Sequence, residues 1–152
     1  MFHVVLVEPE IPPNTGNIAR LCLAAGAHLH LVQPLGFSLD DRYLRRAGMD
    51  YWEAVQLSVW ENWDVFRAAH LTGTPPRHYL LTTKTDRPYV DAAFRPGDYL
   101  IFGRETRGLP ESLLLAEPDR LLTIPMAPAA RSLNLATAVG IVLFEALRQT
   151  RV

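Results

Sequence analysis

The chain alternates short, nearly unbroken apolar runs with longer stretches whose apolar residues recur every three or four positions. The runs Phe2–Val7, Leu29–Val32, Tyr79–Thr82, Tyr99–Phe102 and Leu121–Ile124 predict strands buried on both faces. The periodic stretches predict helices. In Asn14–Ala25, Ile18, Leu21, Cys22 and Ala25 share one face, and Gly26 stands where a left-handed cap would end the helix. Asp40 or Asp41 caps a short basic helix through Arg46, and Glu61–Ala69 is a further helix. Pro110–Ala116 opens with proline in its first turn, and Leu135–Gln149 is the last helix. Strands alternating with helices predict an α/β fold, a mainly parallel sheet with helices on both faces. At 152 residues, with no repeat, linker or low-complexity tract, a single domain over 1–152 is expected.

Composition adds bounds. Apolar content of 49% and charged content of 20% suit a soluble globular chain, and a formal charge of -1 gives no global pull toward nucleic acid or membrane. Lys84 is the only lysine among 15 basic residues, so recognition of phosphate or carboxylate falls to arginine forks. Cys22, alone and inside an apolar helical run, reads as a buried thiol in a reducing compartment. Met1–Val7 lacks the basic start and length of a signal peptide, and every long apolar run is interrupted by Arg, Glu or Pro. A cytoplasmic location with no membrane partner is expected.

In open parallel sheets, ligands bind outside the carboxyl ends of the strands. Three loops there are polar or Gly/Pro-rich and carry arginine: Glu8–Gly16 (with Arg20 a turn further on), Gly103–Gly108 and Pro125–Asn134. The first has prolines where a dinucleotide fold needs G-x-G-x-x-G, which disfavours a Rossmann site. Asn14 reads as a helix N-cap, while Arg20 is a lone charge on an apolar helix and suits a ribose or phosphate. The second loop, GRETRGLP, lacks the Lys-Ser/Thr pair of a P-loop, and Gly103 suits close backbone approach to a ligand. In the third, Ser132 or Asn134 caps the last helix. No G-x-S-x-G is present, and the histidines show no metal-ligand pattern beyond His28 and His30 on one strand face, so no metal is expected. The last helix is apolar nearly all round, with small Ala136, Ala138 and Gly140 early in it. This predicts a homodimer that covers it.

Four stretches, EPEIPPNTGNIARLC, GFSLDDRYLRRAGMDY, LIFGRETRGLP and IPMAPAARSLNLATAV, resemble in order the SPOUT-class tRNA 2'-O-methyltransferases that act on the wobble cytidine or uridine. Arg104 stands where the resemblance leads one to expect proline. The resemblance implies a C-terminal deep trefoil knot, which general topology rules would not anticipate. It implies S-adenosyl-L-methionine bound at Leu81, Gly103, Ile124, Met126, Ser132 and Leu133. It further implies an obligate dimer gripping the tRNA anticodon stem-loop, with Arg42, Arg45 and Arg46 on phosphates. Arg20 would orient the reacting ribose and stabilise charge on its oxygen, since arginine stays protonated. Asn14, Glu105 and Asn134 would hold the site together. Because the leaving group is a neutral thioether, the transfer needs no metal. Two alternatives remain open from sequence: a 2'-O-methyltransferase of another RNA, such as ribosomal RNA, and a non-catalytic RNA-binding homologue.

Overall fold

The computed structural model describes residues 1–48 and 52–151; Met49, Asp50 and Tyr51, which end the second of the four stretches, lie outside them. In chain order the elements are β1 (His3–Val7), α1 (Pro12–Ala25), β2 (His28–Val32), α2 (Arg42–Gly48), β3 (Leu57–Trp60) and α3 (Trp63–His70). There follow β4 (His78–Leu81), β5 (Tyr99–Phe102), α4 (Glu111–Ala116), β6 (Leu121–Leu122) and α5 (Leu135–Thr150). The six strands form one sheet in the order β3-β2-β1-β5-β4-β6, every pairing parallel.

Side chains alternate between two cores, as strand geometry requires. Val4, Leu6, Leu29, Leu31, Leu100 and Phe102 face α1 and α5. Val5, Val7, Val32, Leu80 and Ile101 face Phe66 of α3 and Leu114 of α4. Helices on both faces explain why the central strands are apolar on both sides along most of their length.

Local signals act as expected at several ends. Gly26 takes φ 67 and its amide closes α1. Asp41 Oδ1 accepts from the amides of Tyr43 (2.8 Å) and Leu44 (3.2 Å), capping α2. Asn134 Oδ1 accepts from the Thr137 amide (3.2 Å), so Asn134 rather than Ser132 caps α5, a contact worth about 1 kcal/mol.

Three expectations need correction. The strand β3 was not anticipated, because Leu57–Trp60 is a half-buried edge strand with a serine in its middle. Asn14 is not an N-cap: α1 begins at Pro12 after Ile11, and Asn14 is buried inside the first turn. Prolines at the first two positions carry no amide to cap, which frees Asn14 for other bonds. Finally, α5 is less bare than its composition suggests. Leu135, Val139, Val142, Leu143 and Ala146 are buried by the protein's own sheet and α1, leaving Phe144 as the exposed large apolar residue of the helix. A side chain at Gly140 would first meet Leu21 of the same chain, at 3.6 Å.

Candidate active site

The three post-strand loops meet at the carboxyl ends of the strands, and carboxylates join them. Glu105 Oε1 accepts from the Glu10 amide (2.8 Å), and Oε2 accepts from the Ile11 amide (2.7 Å) and Asn14 Nδ2 (3.4 Å). In return, Glu10 Oε1 accepts from the amide (3.1 Å) and hydroxyl (2.8 Å) of Thr106. These Thr106 bonds, amide first, hold the Glu10 carboxyl below its ordinary value. Asn14 Oδ1 then accepts from Asn134 Nδ2 (3.0 Å), carrying the network to the mouth of α5. Asn14, Glu105 and Asn134 are thus one connected set. Glu10 and Thr106, its reciprocal half, are functional candidates missed in the sequence, because a Glu and a Thr 96 positions apart carry no local signal.

The loop 103–108 is a tight return. Arg104 donates its amide to the Gly108 carbonyl (3.1 Å) and accepts from the Gly108 amide (2.8 Å). A Cβ on Gly103 would collide with the Gly108 carbonyl carbon and the Leu109 nitrogen, and Gly108 itself sits at φ 68. Close approach of the chain to itself is by itself enough to require glycine at 103.

Behind this return lies a cavity of about 370 Å³ whose lining includes Leu81, Gly103, Ile124, Met126, Ser132 and Leu133. Phe102, Leu109 and Leu135 add apolar wall, while Thr82, Thr83 and the main chain of the loops add polar groups. A cavity of this size, with an apolar wall on one side and polar and charged groups on the other, suits a nucleoside-sized ligand. Arg20 does not line it. It lies on an exposed stretch of α1 beside an adjoining groove shared with Asn17, Leu21, Asn134 and Thr137, so Asn134 is common to the groove and to the bonded network.

The basic triad of α2 splits in two. Arg42 and Arg46 are exposed. Arg45 is half-buried: its Nε donates to the Leu39 carbonyl (3.0 Å), Nη1 donates to Glu53 (2.9 Å), and its guanidinium lies over the Trp52 ring. Part of its charge serves the fold.

At the opposite, amino ends of the strands, His3 of β1 joins His28 and His30 of β2, with ligand atoms within 4.8 Å of one another. Strand alternation alone pairs only His28 and His30 of β2, and the sheet order adds His3. Trp60 Nε1 donates to His30 Nδ1 (3.0 Å), which leaves the proton of neutral His30 on Nε2, donated to His3 Nδ1 (2.9 Å). His30 therefore has no lone pair to offer a metal unless the Trp60 bond breaks. Burial first, then the neighbouring His28, pushes His3 down to about 4 and His30 down to about 2, and both are neutral at physiological pH. Cys22 is buried in α1 and its thiol is pushed up to about 12 by that burial, so it is an inert core residue. Among the described residues, no helix is long and apolar enough to cross a membrane.

The chain is similar along its whole length to known proteins. The SpoU rRNA Methylase family matches residues 1–144. A tRNA (cytidine(34)-2'-O)-methyltransferase of Burkholderia cenocepacia is 54% identical over 150 residues, covering 98% of this chain and 96% of that protein. A solved structure described as "Structural insights into the 2-OH methylation of C/U34 on tRNA" superposes with a TM-score of 0.91. It is 46% identical and covers 98% of this chain and 90% of that one. An AdoMet-bound rRNA methyltransferase from Sinorhizobium meliloti superposes with a TM-score of 0.84 at 32% identity, over 97% of this chain and 56% of that one. With the parallel sheet, the three joined loops and the cavity they enclose, these matches identify the chain as a member of the SpoU methylase family.

Proposed function

We propose that this protein transfers a methyl group from S-adenosylmethionine to the ribose 2'-hydroxyl of the wobble nucleotide in a tRNA anticodon loop. The observation that carries this reading is the match at 54% identity, across nearly all of both chains, to a relative named for cytidine 34 of tRNA. The cavity supports it: the six positions that the family resemblance assigns to the cofactor surround one space. S-adenosylmethionine supplies an electrophilic methyl on a sulfonium.

The residues of this chain do the positioning. Glu105 pins the loop after β1 to the loop after β5, and Asn14 and Asn134 extend that hold to α5. Arg20, permanently protonated, orients the ribose and stabilises negative charge on the attacking oxygen. Arg42 and Arg46 contact phosphates, with Arg45 fixing the helix that carries them. A second copy covers the groove between α1 and α5, bringing the exposed Phe144 out of water, and the C-terminal segment is threaded as a trefoil knot. The pairing of Thr123, just beyond β6, with Pro88 in the loop after β4 fits such threading.

Purified protein, S-adenosylmethionine and unmodified tRNA, followed by nucleoside mass spectrometry, test the reading. The expected product is 2'-O-methylcytidine or 2'-O-methyluridine at position 34. Arg20→Ala is expected to bind the cofactor normally and to lose nearly all transfer. Methylation at another tRNA position, or of ribosomal RNA instead, would overturn the substrate. Sedimentation as a monomer at micromolar concentration would overturn the dimer.

A further inference from the structure

Four cations line the cavity at the carboxyl ends: Lys84, Arg104, Arg107 and Arg131. The acid among the lining residues, Glu105, spends its carboxylate on the amides of Glu10 and Ile11 and on Asn14. On the proposed function, the ligand of this cavity is itself cationic. S-adenosylmethionine carries a sulfonium, an ammonium and one carboxylate, a net charge of about +1 at neutral pH. A cationic rim opposes such a ligand and suits a polyanion, and the polyanion in the reaction is RNA.

Arg104 differs from the other three. Lys84, Arg107 and Arg131 are exposed, so water solvates them. Arg104 is half-buried, and its Nε is shielded from water without a hydrogen-bond partner. Its main chain is fixed on both sides by the paired bonds to Gly108. An arginine N–H kept from water and left unbonded is costly unless a ligand supplies the acceptor. The natural acceptor for a guanidinium fork in this setting is a phosphate, which it binds through two parallel N–H bonds. Arg104 and Arg107 also help depress the Glu10 carboxyl, behind the larger effect of Thr106, so the field of this rim reaches across to the loop after β1.

We propose that Arg104 binds a backbone phosphate of the RNA at the mouth of the cofactor cavity, and that RNA and cofactor therefore bind with positive coupling. The proposal rests on the methyltransferase reading above. The phosphate offsets the charge of the rim, which otherwise repels the cofactor, while the rotation that brings Nε to the phosphate leaves the main-chain anchor in place.

The test compares wild-type protein with R104Q, using a synthetic anticodon stem-loop RNA and S-adenosylmethionine. R104Q is expected to bind the RNA about tenfold more weakly, and the slope of log affinity against log salt should drop by about 0.7–0.9 of a unit, one phosphate contact. Its affinity for S-adenosylmethionine without RNA should be unchanged or slightly tighter. The gain in that affinity on adding RNA should shrink relative to wild type. An unchanged salt slope overturns the proposal. So does weaker cofactor binding in the absence of RNA, which would assign Arg104 to the cofactor carboxylate. If R104Q fails to fold, R104M, which keeps an aliphatic stem, is read by the same two outcomes. Failure of the wild-type protein to bind S-adenosylmethionine would instead sink the methyltransferase reading. The RNA salt slope would still judge Arg104 by itself.

Discussion

The carboxyl and amino ends of the sheet share strands β1 and β5 but treat polar side chains in opposite ways. At the carboxyl ends, charged carboxylates hold amides from distant loops beside a cavity rimmed with cations. Toward the amino ends, on the face covered by α3, rings satisfy rings: Trp60 reaches back to donate to His30, His30 donates to His3, and Tyr99 stacks on His3 with centroids 4.1 Å apart. His28 stacks on His30 at 4.0 Å, and His70 bonds the Tyr99 hydroxyl at 2.7 Å. One end keeps its charges and leaves a space. At the other, beside the ion pair of Arg77 with buried Asp98, the histidine cluster stays neutral and fills the space with aromatic surface. The lesson is that a polar cluster becomes a candidate site when its bonds position something around an opening, and a histidine cluster with every bond turned inward is part of the core.

The largest expected effect breaks the carboxyl end. Glu105→Ala removes a charged acceptor from two amides and Asn14, with a stability cost of about 1–3 kcal/mol. Because it frees two loops to move relative to each other, methyl transfer should fall about 100-fold or more in a radiolabel assay. Full activity with a lowered melting temperature would make this end a structural clasp like the other. A smaller effect concerns charge that serves a ligand against charge that serves the fold. Reversing Arg42 and Arg46 together should lower the salt slope of RNA binding by about 1.5 units in filter binding, with melting temperature unchanged. Arg45→Ala should do the reverse, lowering the melting temperature more than the slope, because Leu39, Glu53 and Trp52 lose their partner.

The smallest effect belongs to the amino end. His3 and His30 have folded values depressed to about 4 and about 2, below an ordinary 6.5. As pH falls below 6.5 the unfolded chain takes up protons that the folded chain refuses, so stability declines. The contribution of this cluster is complete above pH 6.5 and is lost progressively as pH falls to about 4 for His3. Melting temperature should hold from pH 7.5 to about 6.5 and then fall toward pH 4.5, and His3→Gln should flatten the decline. A flat wild-type profile would mean the rings ionise freely.

Much of this was legible in the chain because it is written locally. Gly26, Asp41 and Asn134 act through bonds within a few residues of themselves, and the helices they bound follow apolar period. The arginine-bearing loops were legible as a group because parallel topology sends every post-strand loop to one end. What stayed hidden depends on strand order. Asn14 read as a cap because its real partners, Glu105 and Asn134, are 91 and 120 positions away. The ring cluster needed the register that sets His3 beside His28, and β3 needed a neighbour before its half-polar pattern could count as a strand. The packing of α5 on α1, where a side chain at Gly140 would first meet Leu21, likewise joins segments far apart in the chain.

The span of the loop network has a consequence for how the protein is made. Its bonds join residues separated by 91 to 120 positions, so no single segment of the chain can assemble the network alone. Closing such long loops costs entropy that only a formed sheet repays, which makes the site a late product of folding. During synthesis, Glu10 and Asn14 emerge early and wait for Glu105 and then Asn134. A chain released before its last helix has all six strands of the sheet and an unfinished loop network.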